Sequence, residues 1–111
     1  MGKIQAEWGI IMVKHIILWK LKEDLNGKGK QEVLDGIKEN LEGLAGKVPG
    51  LLNISVETMP LPSSNADVML YSELEDENAL KEYQVHPVHV NAADKFVRPY
   101  TETRMCMDFE V

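Results

Sequence analysis

Cysteine is nearly missing from this chain. Cys106 is the single one in 111 residues, so no disulfide can form within the chain, and the count suits a reducing compartment. Runs of lysine or arginine are missing too. Twelve basic residues face eighteen acidic ones, for a net charge of -6. Without a basic stripe to follow phosphates, nucleic acid is not an expected partner. No apolar run approaches the roughly 20 residues that cross a bilayer, so no membrane association is expected. The chain also lacks a glycine-rich phosphate loop, a Gly-x-Ser-x-Gly elbow and a paired-carboxylate signature. Met1 to Trp8 has neither the continuous apolar core nor the cleavage site of a secretory signal, and Ala6 stands where myristoylation needs Ser or Thr. The expected location is therefore the cytoplasm.

What is present is enough for one packed domain, with 44% hydrophobic residues. Residues 1–11 read as an N-terminal extension and 12–111 as the domain, with Met12 an alternative start. Val13 to Lys22 alternates as a strand, with Val13, His15, Ile17, Trp19 and Leu21 on one face and Lys14, Ile16, Leu18, Lys20 and Lys22 on the other. Both faces are apolar at mid-strand, which predicts burial on both sides. A helix is predicted from Lys30 to Ala45 on the stripe Val33, Leu34, Ile37, Leu41 and Leu44, capped by Gly46. Strands are predicted over Leu51–Met59, Asp67–Leu74 and Tyr100–Val111. On the first of these, Leu52, Ile54 and Val56 share a face. On the second, Val68, Leu70 and Ser72 oppose Met69 and Tyr71.

Between the last two strands lies Tyr83-Gln-Val-His-Pro-Val-His89. Asp76 caps a short amphipathic helix over Asn78–Tyr83. Pro87 breaks it, and a second helical segment restarts with Val90, Ala93, Phe96 and Val97. The order β-α-β-β-α-β predicts an α+β, ferredoxin-like protomer, with a four-stranded antiparallel sheet and its helices on one face. The uncovered face would then carry Ile16 and Leu18 and further apolar residues from the third strand. A homodimer packing sheet on sheet closes that face most economically.

In its motifs the chain resembles the stress-responsive dimeric α/β barrel (Dabb) domain family. The resemblance rests on Val13-Lys-His-Ile16, Val48-Pro-Gly50, Asp67 to Ser72, the Tyr83–His89 motif, Phe96, Pro99 and Met107-Asp-Phe109, and it covers Met12 to Glu110. It implies two protomers whose sheets close one barrel. A plant branch of that family cyclises poly-keto acids by an aldol step without metal or organic cofactor, through a tyrosine and a histidine. Motif against motif these correspond to Tyr83 and His89, with His15 lining the same pocket. Candidate catalytic residues are thus His89 as base and Tyr83 as its partner, and candidate ligand-binding residues are His15, Tyr83, His89 and Leu70. No metal and no cofactor is expected.

The function this supports is binding of a small apolar or keto-type molecule between sheet and helices, with no assigned reaction. A cyclase-like aldol enzyme is the alternative, and a cofactor-free monooxygenase the third reading. A structural account competes with all three. In it His15 and His89 hydrogen-bond each other as pins, and Tyr83 is a core aromatic with a satisfied hydroxyl. An open pocket reaching His89 would favour ligand binding, and a filled one a structural or stress role. His86-x-x-His89, with His15 as a third ligand, has metal-like spacing, but Pro87 interrupts it. His86 is expected to suit the end of the preceding helix, and Cys106 to be an inert buried thiol.

Overall fold

The computed structural model describes residues 12–111; the N-terminal extension lies outside them. The element order is β1 (Val13–Leu21), α1 (Lys30–Glu42), β2 (Leu51–Glu57), β3 (Val68–Leu74), α2 (Glu77–Val85), α3 (Pro87–Ala92) and β4 (Thr101–Glu110). Between α3 and β4 the chain makes a π-helical turn, Ala93–Val97, and a 3-10 turn, Arg98–Tyr100. The four strands form one sheet in the order β2-β3-β1-β4, antiparallel throughout. This is the predicted ferredoxin-like arrangement, with β1 at the centre and β2 and β4 as edges.

Alternation in β1 decides which side is core. Val13, Ile17, Trp19 and Leu21 are buried, and so are Val68, Leu70 and Leu74 of β3 and Ile54 and Val56 of β2. They pack against Val33, Leu34, Ile37 and Leu41 of α1 and Leu80 and Tyr83 of α2. Successive strand side chains point to opposite faces. Ile16, Leu18, Met69, Tyr71, Met105, Met107 and Phe109 therefore share the other face. Met69 and Tyr71, rather than Val68 and Leu70, are the third strand's contribution to it.

Three local expectations are corrected. The first helix stops at Glu42, not Ala45, because the hydrogen bonds tighten: Leu44 N–H bonds Leu41 O at 3.1 Å and Ala45 N–H bonds Glu42 O at 3.2 Å. Leu44 stays buried in that tighter turn, so the apolar stripe outlasts the helix. Leu52 does not share the buried face with Ile54 and Val56. The register of β2 against β3 shifts between Leu51 and Asn53, and Leu52 is left half exposed. Gly46 does not cap the helix, a place taken by Gly43.

The corner that carries the histidines forms as its sequence dictates. Asp76 accepts the Ala79 N–H at 2.7 Å and caps α2. Pro87 opens α3 at a position where its missing N–H costs nothing. The turn before β2 is pinned from the other side. Gly50 sits at φ +83°, and a Cβ there would stand 2.7 Å from the Cβ of Ala79, so only glycine lets α2 approach.

Candidate functional site

Tyr83, His15 and His89 come together between β1 and the α2–α3 corner. The Tyr83 ring stacks, tilted, on His89 at 4.3 Å between centroids and meets His15 edge-on at 6.0 Å. His15 is placed by the centre of β1, Tyr83 by the last turn of α2, and His89 by the first turn after Pro87. Tyr83 and His15 are fully buried, as is Leu70, and His89 is half-buried.

The Tyr83 hydroxyl is buried and has no hydrogen-bond partner among the described residues. Burial alone holds this phenol well above the ordinary tyrosine range. It stays protonated at any physiological pH and can act only as a donor or a neutral acceptor. His89 is shifted the other way. Burial lowers its pKa, the nearby Gln84 carbonyl partly opposes that, and Arg98, His15 and Arg104 add to the lowering. Its Nδ1 lies 3.3 Å from the Gln84 carbonyl oxygen. The tautomer that donates there leaves Nε2 as an unprotonated acceptor.

The pinning arrangement is corrected. His15 does not bond His89; its Nδ1 pairs with the Asp108 carboxylate, because antiparallel register sets Asp108 directly opposite His15 on the same face. The Tyr83 hydroxyl is likewise not satisfied. His86 plays a different part from the one expected. Its Nδ1 accepts the Val88 N–H at 3.2 Å and caps the start of α3, whereas α2 ends on a backbone bond. Cys106 is corrected most sharply. It is exposed rather than buried, with Sγ 3.7 Å from His15 Nδ1 and 3.4 Å from Asp108 Oδ1. Partial burial and the Asp108 carboxylate raise its pKa, so the free thiol is a poor nucleophile. Sequence reasoning missed Asp108, the partner of His15. The only signal was the strand alternation that puts Cys106 and Asp108 on one face.

Four clefts open elsewhere, and none of the four is lined by His15, Leu70, Tyr83 or His89. One, of about 380 Å³, lies between Leu18, Pro60, Asn65 and Met69 on the uncovered sheet face. Another, of about 310 Å³, runs between Val13, Leu80, Asp108 and Phe109.

The Stress responsive A/B Barrel Domain profile matches residues 13–111. The chain belongs to that family. Among solved structures, this stress-responsive barrel domain is similar to a dimeric protein of unknown function and ferredoxin-like fold from Bacteroides fragilis. The two are 36% identical, over 90% of this chain and 96% of that one, with a TM-score of 0.81. A dimeric ferredoxin-like protein of unknown function from Thermobifida fusca is 21% identical, over 93% of each chain, with a TM-score of 0.78. A hydroxynitrile lyase from Passiflora edulis is 16% identical, over 90% of this chain and 93% of that one, with a TM-score of 0.73. No curated protein matches the chain. The stress-responsive domain thus has relatives of the same fold with and without a named reaction, and its own activity is unassigned. Among the described residues, no helix is long and apolar enough to cross a membrane.

Proposed function

We propose that this domain works as a homodimer whose protomers each bind a small, mostly apolar molecule carrying a carbonyl, beside Tyr83 and His89. The observation that carries the binding reading is the Tyr83 hydroxyl, a donor fully enclosed and without a partner among the described residues. A buried unsatisfied hydroxyl costs about 1–3 kcal/mol. A ligand oxygen accepting from it would recover that cost, while an apolar body would suit the surrounding Leu70 and the aromatic rings. Tyr83 and Leu70 are fully buried, so a ligand would enter past half-buried His89.

Dimerisation is supported by the uncovered sheet face. Met105 and Met107 are each about two-thirds exposed, and Leu18 and Phe109 more than one-third. Such a row is self-complementary about a two-fold axis and too apolar to suit water.

A second reading, a cofactor-free enzyme acting on a keto compound, is favoured by the lowered pKa of His89. A neutral imidazole with Nε2 available can take a proton alpha to a carbonyl, and Tyr83 would donate to the enolate oxygen as charge develops there. One titration separates the readings. The wild type and Tyr83→Phe are screened by calorimetry and NMR against short poly-keto acids and their saturated, carbonyl-free analogues. Binding of keto compounds that Tyr83→Phe weakens, without turnover, supports the binding domain. Turnover lost in His89→Gln supports the enzyme. No binding in the wild type would leave the site with a structural role and defeat both.

A further inference from the structure

We propose that His15, Cys106 and Asp108 form a three-ligand site for a borderline-soft divalent cation of the zinc class, its remaining coordination position open to water. Among the described residues this is the one convergence of three potential ligand side chains, their ligand atoms all within 4.8 Å of one another. It is a different site from the Tyr83–His89 pair, although His15 borders both.

The register of β4 on β1 builds the cluster. Asp108 pairs with His15 and Cys106 with Ile17, and alternation turns both side chains toward the helix side, where His15 already points. His15 is held rigidly, being fully buried at the centre of the sheet. The other two sit on an edge strand with freedom to adjust. One fixed imidazole and two adjustable anionic ligands are what a site needs if it is to close around an ion.

Two chemistries compete for such a trio, and the geometry separates them. A nucleophilic Cys-His-Asp relay needs the sulfur and the carboxylate on opposite ring nitrogens, so that one donates to the ring while the other orients it. Here both approach the same atom, Nδ1. One nitrogen cannot pass a proton between them. Convergence on a single point is instead the arrangement of a chelate. In a tetrahedral zinc site, bond lengths of about 2.0–2.3 Å set neighbouring ligand atoms about 3.3–3.7 Å apart. The sulfur–nitrogen and sulfur–oxygen separations, 3.7 and 3.4 Å, already lie in or near that range. The His15–Asp108 contact must open, which calls for the exposed Asp108 carboxylate to rotate and reset its distance to Cys106 as well.

The charge balance also fits. Neutral His15, the Asp108 carboxylate and the Cys106 thiolate together supply two negative charges to a divalent ion. Binding releases the thiol proton to solvent and requires the ring hydrogen on Nε2, so that Nδ1 offers its lone pair. Arg104, two residues along on the same strand face, is the cation that opposes binding. It is exposed and long enough to swing away. The cleft between Val13, Leu80, Asp108 and Phe109 gives an entry path past Asp108. A mixed nitrogen, oxygen and sulfur set selects zinc or cobalt over magnesium or calcium, which prefer oxygen alone.

The test uses the full chain, untagged and metal-free, titrated with Co²⁺ and then displaced by Zn²⁺. The expected result is one ion per chain, with an intense visible d–d spectrum and a near-ultraviolet thiolate-to-cobalt band. Cys106→Ser should abolish the thiolate band, and both it and Asp108→Asn should weaken Zn²⁺ binding by more than about tenfold. Circular dichroism checks that these surface substitutions leave the fold intact. His89→Gln and His86→Gln should leave binding unchanged. Absence of a thiolate band in the wild type, affinity indifferent to Cys106→Ser, or binding lost in His86→Gln would each overturn the proposal. Failure here leaves the keto-ligand reading untouched, because that screen is run metal-free.

Discussion

Replacing Tyr83 by phenylalanine should stabilise the protein. Most substitutions of a fully buried side chain destabilise, by about 1 kcal/mol on average, so the sign alone is diagnostic. The hydroxyl is enclosed and has no partner among the described residues. Burying such a group costs about 1–3 kcal/mol relative to leaving it in water. Phenylalanine keeps the ring, and with it the stack on His89 at 4.3 Å and the edge contact with His15 at 6.0 Å. It leaves a gap of only one oxygen, whose lost contacts offset part of the gain. A net increase of about 1 kcal/mol remains, which in a domain of this size raises Tm by about 4–8 °C. Calorimetry or circular-dichroism melts at matched protein concentration read this directly, because a dimer's Tm depends on concentration. Urea unfolding should show a later midpoint with an unchanged slope. A fall in Tm of similar size would refute the reasoning, since it would mean the hydroxyl is hydrogen-bonded in the folded protein. The same variant should bind keto ligands more weakly. Higher stability with lower affinity is the signature of a donor reserved for a ligand.

Leu18→Glu should convert a sedimenting dimer to monomer or aggregate, because it places a charge at the middle of the uncovered face; an unchanged dimer would exclude sheet-on-sheet packing. Asp76→Ala should cost about 0.5–2 kcal/mol through loss of the α2 cap, read as an earlier urea midpoint. The His89 shift has a pH consequence. Its folded pKa lies below the ordinary 6.5, so the unfolded chain binds the proton more readily, and stability falls as pH drops through 6.5 toward the folded value. His89→Gln should flatten that part of the pH–Tm curve, and an unaltered slope would show that other groups produce it.

The fold was legible because its signals are local. Alternation in Val13–Lys22, the stripe from Val33 to Leu44 and the break at Pro87 each carry their structure within a few residues. The misreadings arose where local pattern is degenerate. Leu44 suits an α-helix or a tighter turn equally, since a period of 3.6 and a period of 3.0 place it alike over a single turn. Leu52 lost its face to a register shift that only the pairing of β2 with β3 reveals. At the site, Tyr83 and His89 are six residues apart and were found together. Asp108 and Cys106 are more than ninety residues from His15, and no periodicity links them. They become neighbours only once β4 is known to pair with β1, and in which register.

Ahead of that pairing lies the π-helical turn Ala93–Val97. A π turn holds one residue more than an α turn, and the 3-10 turn after it places Tyr100 in the core just before β4 begins. If a one-residue deletion there were carried into β4 instead of being absorbed at the irregularity opposite Lys20 and Leu21, β4 would slip by a single position along β1. Because side chains alternate, such a slip exchanges the strand's two faces completely. Met105, Met107 and Phe109 would turn toward the helices, while Cys106 and Asp108 would leave His15 for the opposite side. The pairing register is thus what keeps the apolar face and the histidine cluster on opposite sides of one strand. A change of chain length that shifted this pairing would cost the protein both at once.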